Sequence, residues 1–244
     1  MLDPDLDEAD SRELVVSLDS VTVALGGFPA LLGITLEIRG GELVFIKGPN
    51  GAGKSTLLRL IAGLVKVNHG SAKVAGLDLP GNERALRLRV GLISHQSHLY
   101  EDLTVKDNLE LVRAAFRLQE RRVLDSAELF GLAGRLGSQK VTALSAGQKK
   151  RVSLCALVMK NPPIWLLDEP HSSLDVEGRD LLDGLIREAN RRNTVVILAS
   201  HEEELVTDAQ ARTIHLAGGR VVAQLGGRRI ESKEPIAKIP DQGF

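Results

Sequence analysis

Uninterrupted apolar runs recur along the chain at Leu43-Val44-Phe45-Ile46, Val90-Gly91-Leu92-Ile93, Ile164-Trp165-Leu166-Leu167 and Val195-Val196-Ile197-Leu198-Ala199. Runs of this length bounded by turn residues predict strands buried on both faces. Segments of helical period lie between them. Thr56–Ala62 is amphipathic and ends near Gly63. From Thr104 to Phe130 the pattern is helical, with Thr104 and Asp107 as a capping pair and Val105, Leu109, Val112, Ala115 and Phe116 on one face. A further helix opens at Leu144-Ser145-Ala146-Gly147-Gln148 and runs to about Lys160, where Asn161-Pro162-Pro163 breaks it. Another spans about Val176 to Arg192. Strands alternating with helices predict an α/β fold with a mostly parallel, helix-covered core sheet, and the composition change after residue 100 predicts an inserted helical lobe over about residues 100–160.

A different pattern flanks this core. From Leu14 to Val23 and from Leu31 to Ile38, aliphatic and β-branched residues alternate in part around a Gly26-Gly27-Phe28-Pro29 break, which predicts antiparallel strands. Ala72-Lys73-Val74 and Leu77 add a short strand, so a small antiparallel β subdomain is expected beside the core. Thr213 to Leu216 and Arg220 to Gln224 predict two closing strands. Residues 1–12 carry Asp3, Asp5, Asp7, Glu8 and Asp10 against Arg12 and read as an acidic tail. Residues 226–244 are polar and proline-containing and read as a second tail, which leaves residues 13–225 as the folded unit.

The totals narrow the function. At 244 residues the chain has room for one large α/β domain or two small ones. A net charge of −1 argues against general nucleic-acid binding, which needs a basic surface. The single cysteine, Cys155, excludes an internal disulfide framework. No apolar stretch nears the ~20 residues of a membrane helix, and the acidic start is unlike a secretion signal, so the chain is expected neither to span a membrane nor to be exported by that route.

The chemistry is carried by Gly48-Pro49-Asn50-Gly51-Ala52-Gly53-Lys54-Ser55-Thr56 between a strand and a helix. Glycines let successive backbone N–H groups turn into one concavity, and the positive end of the new helix faces the same spot. Lys54 suits the β- and γ-phosphates, and the Ser55 hydroxyl suits a bridging Mg²⁺, so the implied substrate is a nucleoside triphosphate. The strand at Ile164 ends in Asp168-Glu169. Asp168 is placed to hold Mg²⁺ through water, and Glu169 to polarise a water aimed at the γ-phosphorus.

Taken together, the loop, Gln96, Leu144-Ser145-Ala146-Gly147-Gln148, Asp168-Glu169, Ser173-Leu174-Asp175 and His201 resemble the ATPase subunit of an ATP-binding-cassette transporter in order and approximate spacing. The resemblance covers about residues 13–225. It implies ATP and Mg²⁺, a head-to-tail dimer of two copies with two ATP molecules in its interface, an integral-membrane permease as partner, and a peripheral place on the cytoplasmic face of the membrane. It also implies roles residue by residue. Ser145, Ala146, Gly147 and Gln148 would contact the nucleotide of the opposite copy, and Asp175 would sit at the same interface. Gln96 would sense Mg²⁺ and the attacking water, while His201 would hydrogen-bond the γ-phosphate and Glu169.

Several positions depart from the family pattern. Leu25 stands where an adenine-stacking ring is common, leaving Phe28 as a substitute or base stacking weaker. Ala146 replaces the usual glycine, and Ala156 a frequent arginine. Within the family, Leu144 to Arg151, Ile93-Ser94-His95-Gln96 and the missing ring are similar to the ATP-binding subunit of the haem exporter of cytochrome c biogenesis. The alternative is a soluble cassette ATPase of an assembly system such as iron–sulfur cluster construction. His69, His95, His98, His171 and His215 lack metal-ligand spacing on one element, except His95 and His98, which flank Gln96 in a loop, and none is read as a haem or metal ligand. Cys155 and Trp165 read as core residues, and Arg187, Arg191 and Arg192 as a solvated helix end.

Overall fold

The structure is a computed structural model that describes residues 13–94, 96–200 and 211–226. The predicted tails, apart from Gly226, and His95 and His201 lie outside the described residues. The chain begins with a long hairpin, β1 (Leu14–Leu25) and β2 (Phe28–Arg39), closed by Gly26 and Gly27, both at positive φ as a two-residue hairpin turn requires. Its alternation is only partial for a structural reason. Buried positions run Val16, Leu18 and then Val21, Val23, because the register shifts between Leu18 and Val21, where Ser20 takes φ 53°. A bulge moves the apolar set by one residue and returns it to the same face. The short strand expected near Ala72 is two strands, β4 (His69–Val74) and β5 (Leu77–Leu79), and they complete an antiparallel sheet of order β2-β1-β4-β5.

The second sheet contains the four apolar runs. Its strands are β3 (Leu43–Lys47), β6 (Val90–Ile93), β7 (Ile164–Asp168), β8 (Val195–Ala199), β9 (Arg212–Ala217) and β10 (Arg220–Leu225), in the order β10-β9-β3-β8-β7-β6. All neighbours are parallel except β9 and β10. Successive residues of one strand enter opposite cores. Ile164 and Leu166 pack in the cluster that includes the antiparallel sheet, whereas Trp165 and Leu167 pack with the helices of the other face. That double burial is why these strands read as continuous rather than alternating.

The helices are α1 (Lys54–Ile61), α2 (Glu83–Arg89), α3 (Val105–Phe116), α4 (Glu120–Leu129), α5 (Ala146–Lys160) and α6 (Val176–Arg191). The expected capping pair is present, with the Thr104 hydroxyl accepting from the Asp107 N–H at 3.1 Å and the Asp107 carboxylate accepting from the Thr104 N–H at 3.2 Å. The single helical stretch over Thr104 to Phe130 is corrected to two helices, broken at Arg117, which caps α3 in the left-handed region at φ 52°. Ala115, expected on the inward face, is exposed. Helix α2 was not anticipated, and only Leu86 of its residues is buried. Arg191 and Arg192 are not simply solvated, since both pair with Glu188 at 2.7 Å.

Lys160, at the end of α5, ties the lobe to the sheet. Its ammonium donates to the carbonyls of Arg87 (2.7 Å) and Val90, and lies 4.9 Å from the centre of the Phe116 ring. Burial pushes Lys160 down from its ordinary 10.5 to about 8. Between those values the unfolded chain holds a proton that the folded chain has released, so this group makes stability rise with pH there. In urea titrations across that window, wild type is expected to gain steadily on Lys160→Met. A constant difference between the two would contradict the assignment.

Candidate active site

Strand β3 delivers the chain to the phosphate loop at the carboxyl edge of the parallel sheet, where ligands of open α/β sheets bind. Gly48 is required by a neighbour as well as by its φ of 152°, because a Cβ there would lie 2.1 Å from the Leu216 carbonyl oxygen on β9. Gly53, at φ 104°, begins α1 with no side-chain cap, so the N–H groups of the first turn keep their positive end toward the loop. The loop is braced from behind by the β9–β10 turn, whose Gly219 N–H donates to the Ala52 carbonyl at 3.0 Å and whose Gly219 carbonyl accepts from Leu32 at 2.8 Å. Lys54 is buried, and its ammonium donates to the carbonyls of Gly48 (2.7 Å) and Pro49 (3.2 Å).

The acidic side comes from β7. Ile46 and Asp168 both stand opposite Ala199 of the strand between them, so the loop and the carboxylates emerge at one level. Asp168 is buried. Glu169 leaves the strand in the left-handed region at φ 46°, with its N–H donating to the Ala199 carbonyl at 2.9 Å. Its carboxylate accepts from the Ser200 hydroxyl at 3.3 Å.

Between loop and strand end lies a cleft of about 220 Å³ lined by Ala30, the loop residues Asn50, Gly51, Ala52, Gly53, Lys54, Ser55 and Thr56, and Asp168 and Glu169. Backbone N–H groups, a helix start and an ammonium on one wall suit phosphate, while a hydroxyl facing two carboxylates suits a hard divalent cation. The residues present therefore fit a nucleotide with Mg²⁺.

The other expected site residues lie apart from this lining. Gly48 and Pro49 open the loop, and their carbonyls face the Lys54 ammonium rather than the cleft lining. Gln96 is exposed in the turn after β6, its carbonyl accepting from the Ser94 hydroxyl at 2.8 Å, and the same hydroxyl meets His98 Nε2 at 3.1 Å. The pentapeptide starts α5 through a capping box in which Ser145 Oγ accepts from the Gln148 N–H (3.2 Å) and Gln148 Oε1 accepts from the Ser145 N–H (2.9 Å). Ser145 and Ala146 are exposed. Gly147 backs onto the next turn, since a Cβ there would lie 2.5 Å from the Ser173 carbonyl oxygen. Asp175 caps α6 by accepting from the Gly178 N–H at 2.9 Å and takes a two-pronged contact from Arg151 at 2.7 and 2.9 Å. That guanidinium, with the Gly178 N–H, holds the Asp175 carboxyl below the usual carboxylate range.

Sequence reasoning missed Ala30, Ser200 and Lys150, which reach the site from other elements. Phe28 is strongly exposed at the hairpin tip two residues before Ala30, and Leu25 is exposed on the same hairpin. His171 is buried against Asp183 at 2.7 Å, and Cys155 and Trp165 are core residues.

The family model described as ABC transporter matches residues 31–172. The chain belongs to the ABC transporter family. It is 34% identical to the phosphonates import ATP-binding protein PhnC of Hyphomonas neptunium, over 90% of this chain and 89% of that protein. To the cell division ATP-binding protein FtsE of Streptococcus pneumoniae it is 31% identical, over 87% of this chain and 93% of the relative. Among solved structures, the dimeric post-hydrolysis state of the ATP-binding cassette MJ0796, bound to ADP and Pi, superposes with a TM-score of 0.78 at 29% identity, covering 88% of this chain and all of that one. The ABC chain described here is accordingly an ATP-binding subunit that hydrolyses ATP with Mg²⁺.

Proposed function

We infer that two copies of this chain close head to tail on two ATP molecules, and that this closure drives an integral-membrane permease at the cytoplasmic face of the membrane. The observation that carries the reading is the separation of the two phosphate-binding elements. The loop opens into its own cleft, whereas the uncovered helix start at Ser145 and Ala146 lies outside it, available to a nucleotide held by a second copy. The dimeric state of MJ0796 bound to ADP and Pi supports the same arrangement.

In this reading Lys54 exchanges its loop carbonyls for the β- and γ-phosphates, and Ser55 and Asp168, with Gln96, serve Mg²⁺. When bound, that ion neutralises charge on the phosphate oxygens. Glu169 holds and polarises the attacking water as general base. His201 assists it, and Ser145, Ala146, Gly147 and Gln148 of the second copy complete the site. Asp175, held by Arg151 of its own chain, sits at the same interface and communicates between the two sites.

Among the described residues no helix is long and apolar enough to cross a membrane, so in this reading transport is performed by the partner. The relatives named above include an importer and a cell-division protein, and the permease selects cargo in such a design. Haem export for cytochrome c biogenesis is the cargo that the run Leu144 to Arg151 and the ring missing at Leu25 favour. Affinity purification of the tagged chain from membranes, co-expressed with its neighbouring gene products, tests the reading. A stoichiometric membrane-spanning protein is the expected result, and recovery only in a soluble assembly complex would replace it with the iron–sulfur type of role.

A further inference from the structure

Among the described residues two lysines are buried, Lys54 and Lys150. Lys54 belongs to the phosphate loop. Lys150 lies in the second turn of α5, and its ammonium donates to the backbone carbonyl of Glu169 at 3.3 Å. The same oxygen accepts from the Ser172 N–H at 3.3 Å and from the Ser172 hydroxyl at 2.8 Å. Three donors therefore converge on one carbonyl of the residue that holds φ 46°. A left-handed backbone at a side chain as long as glutamate persists only where its surroundings impose it. Burying an ammonium is also costly without compensation, and Asp168 and Glu169 are the charges that offset it.

We propose that Lys150 is a positioning residue for hydrolysis: with Ser172 it clamps the Glu169 carbonyl and so maintains the turn that presents the Glu169 carboxylate to the cleft. The clamp rests on the reading of Glu169 as general base. It acts through the backbone, so a neutral donor such as glutamine, one bond shorter in reach, keeps part of it, whereas an apolar side chain keeps none.

Single-turnover hydrolysis at saturating MgATP, paired with an ATP-binding titration, separates the possibilities. Lys150→Met is expected to slow hydrolysis about 10- to 100-fold, the scale of a displaced catalytic group, with ATP affinity changed less than about threefold. Lys150→Gln is expected to recover part of the rate. The clamp is overturned if Lys150→Met hydrolyses at the wild-type rate, if its affinity falls in step with its rate, or if Lys150→Gln is no better than Lys150→Met. Should Lys150→Met lose its cooperative thermal transition, Ser172→Ala carries the test, with a rate loss at unchanged affinity expected and an unchanged rate contradicting it. Glu169→Gln serves as the control. If that variant turns over normally, the base assignment fails and the clamp with it. If it is inactive while Lys150→Met is not, only the clamp fails.

Discussion

Glu169→Gln is expected to bind ATP as tightly as wild type and to hydrolyse it about 10²- to 10⁴-fold more slowly, the usual contribution of a positioned general base. Glutamine keeps the side chain's length and its acceptor oxygen for the Ser200 hydroxyl, so the turn after β7 is retained while the capacity to take a proton is lost. The separation of binding from turnover is the diagnostic feature. Radiolabelled ATP retained on the variant through gel filtration, with no phosphate release in a coupled assay, is the expected pair of results. Wild-type turnover would show that another group activates the water.

Lys54→Ala should act earlier in the cycle. The ammonium is buried and held by the carbonyls of Gly48 and Pro49 within 3.2 Å, beside the cleft wall formed by the first turn of α1. Removing it deletes the one compact charge that the loop offers to phosphate. It also takes the ammonium donor from the Gly48 carbonyl, while the Pro49 carbonyl keeps the Ala52 N–H at 3.1 Å. Hydrolysis is expected to fall about 10²- to 10³-fold, the range for loss of a preorganised electrostatic group, with ATP affinity falling too. Lys54→Ala and Glu169→Gln therefore part in a nucleotide-binding titration, where only the first weakens. Equal affinities for both would contradict the placement of Lys54 against phosphate.

The parts of this molecule legible from sequence are those governed by local pattern. The buried strands β3, β7 and β8 read directly, because each is apolar on both faces and ends at a loop or a carboxylate. The capping box at Thr104 and Asp107 read as well, since it depends on a spacing of three residues. What escaped depends on tertiary context. The break between α3 and α4 is made by Arg117 in a left-handed conformation, with neither glycine nor proline to announce it. The slip in β1 comes from a bulge at Ser20 that no composition rule marks. Lys150 sits in a basic run that looks like solvated helix surface, and its partner is a backbone oxygen 19 residues away in sequence. Ala30 reaches the cleft only because the hairpin folds back over the loop. Around the site, sequence supplied the chemical groups, while long-range packing decided which of them share a cleft and which face outward.

The proposed shared-nucleotide dimer depends on that outward-facing set. Sedimentation velocity on Glu169→Gln, with and without saturating MgATP, and on the same variant carrying Ser145→Arg, is the most direct measurement. The predicted result is a monomer that becomes a dimer when ATP is added, and a Ser145→Arg form that still binds ATP yet remains a monomer. A Glu169→Gln protein that stays monomeric with ATP, or dimerises equally well with arginine at position 145, would contradict the shared-nucleotide dimer.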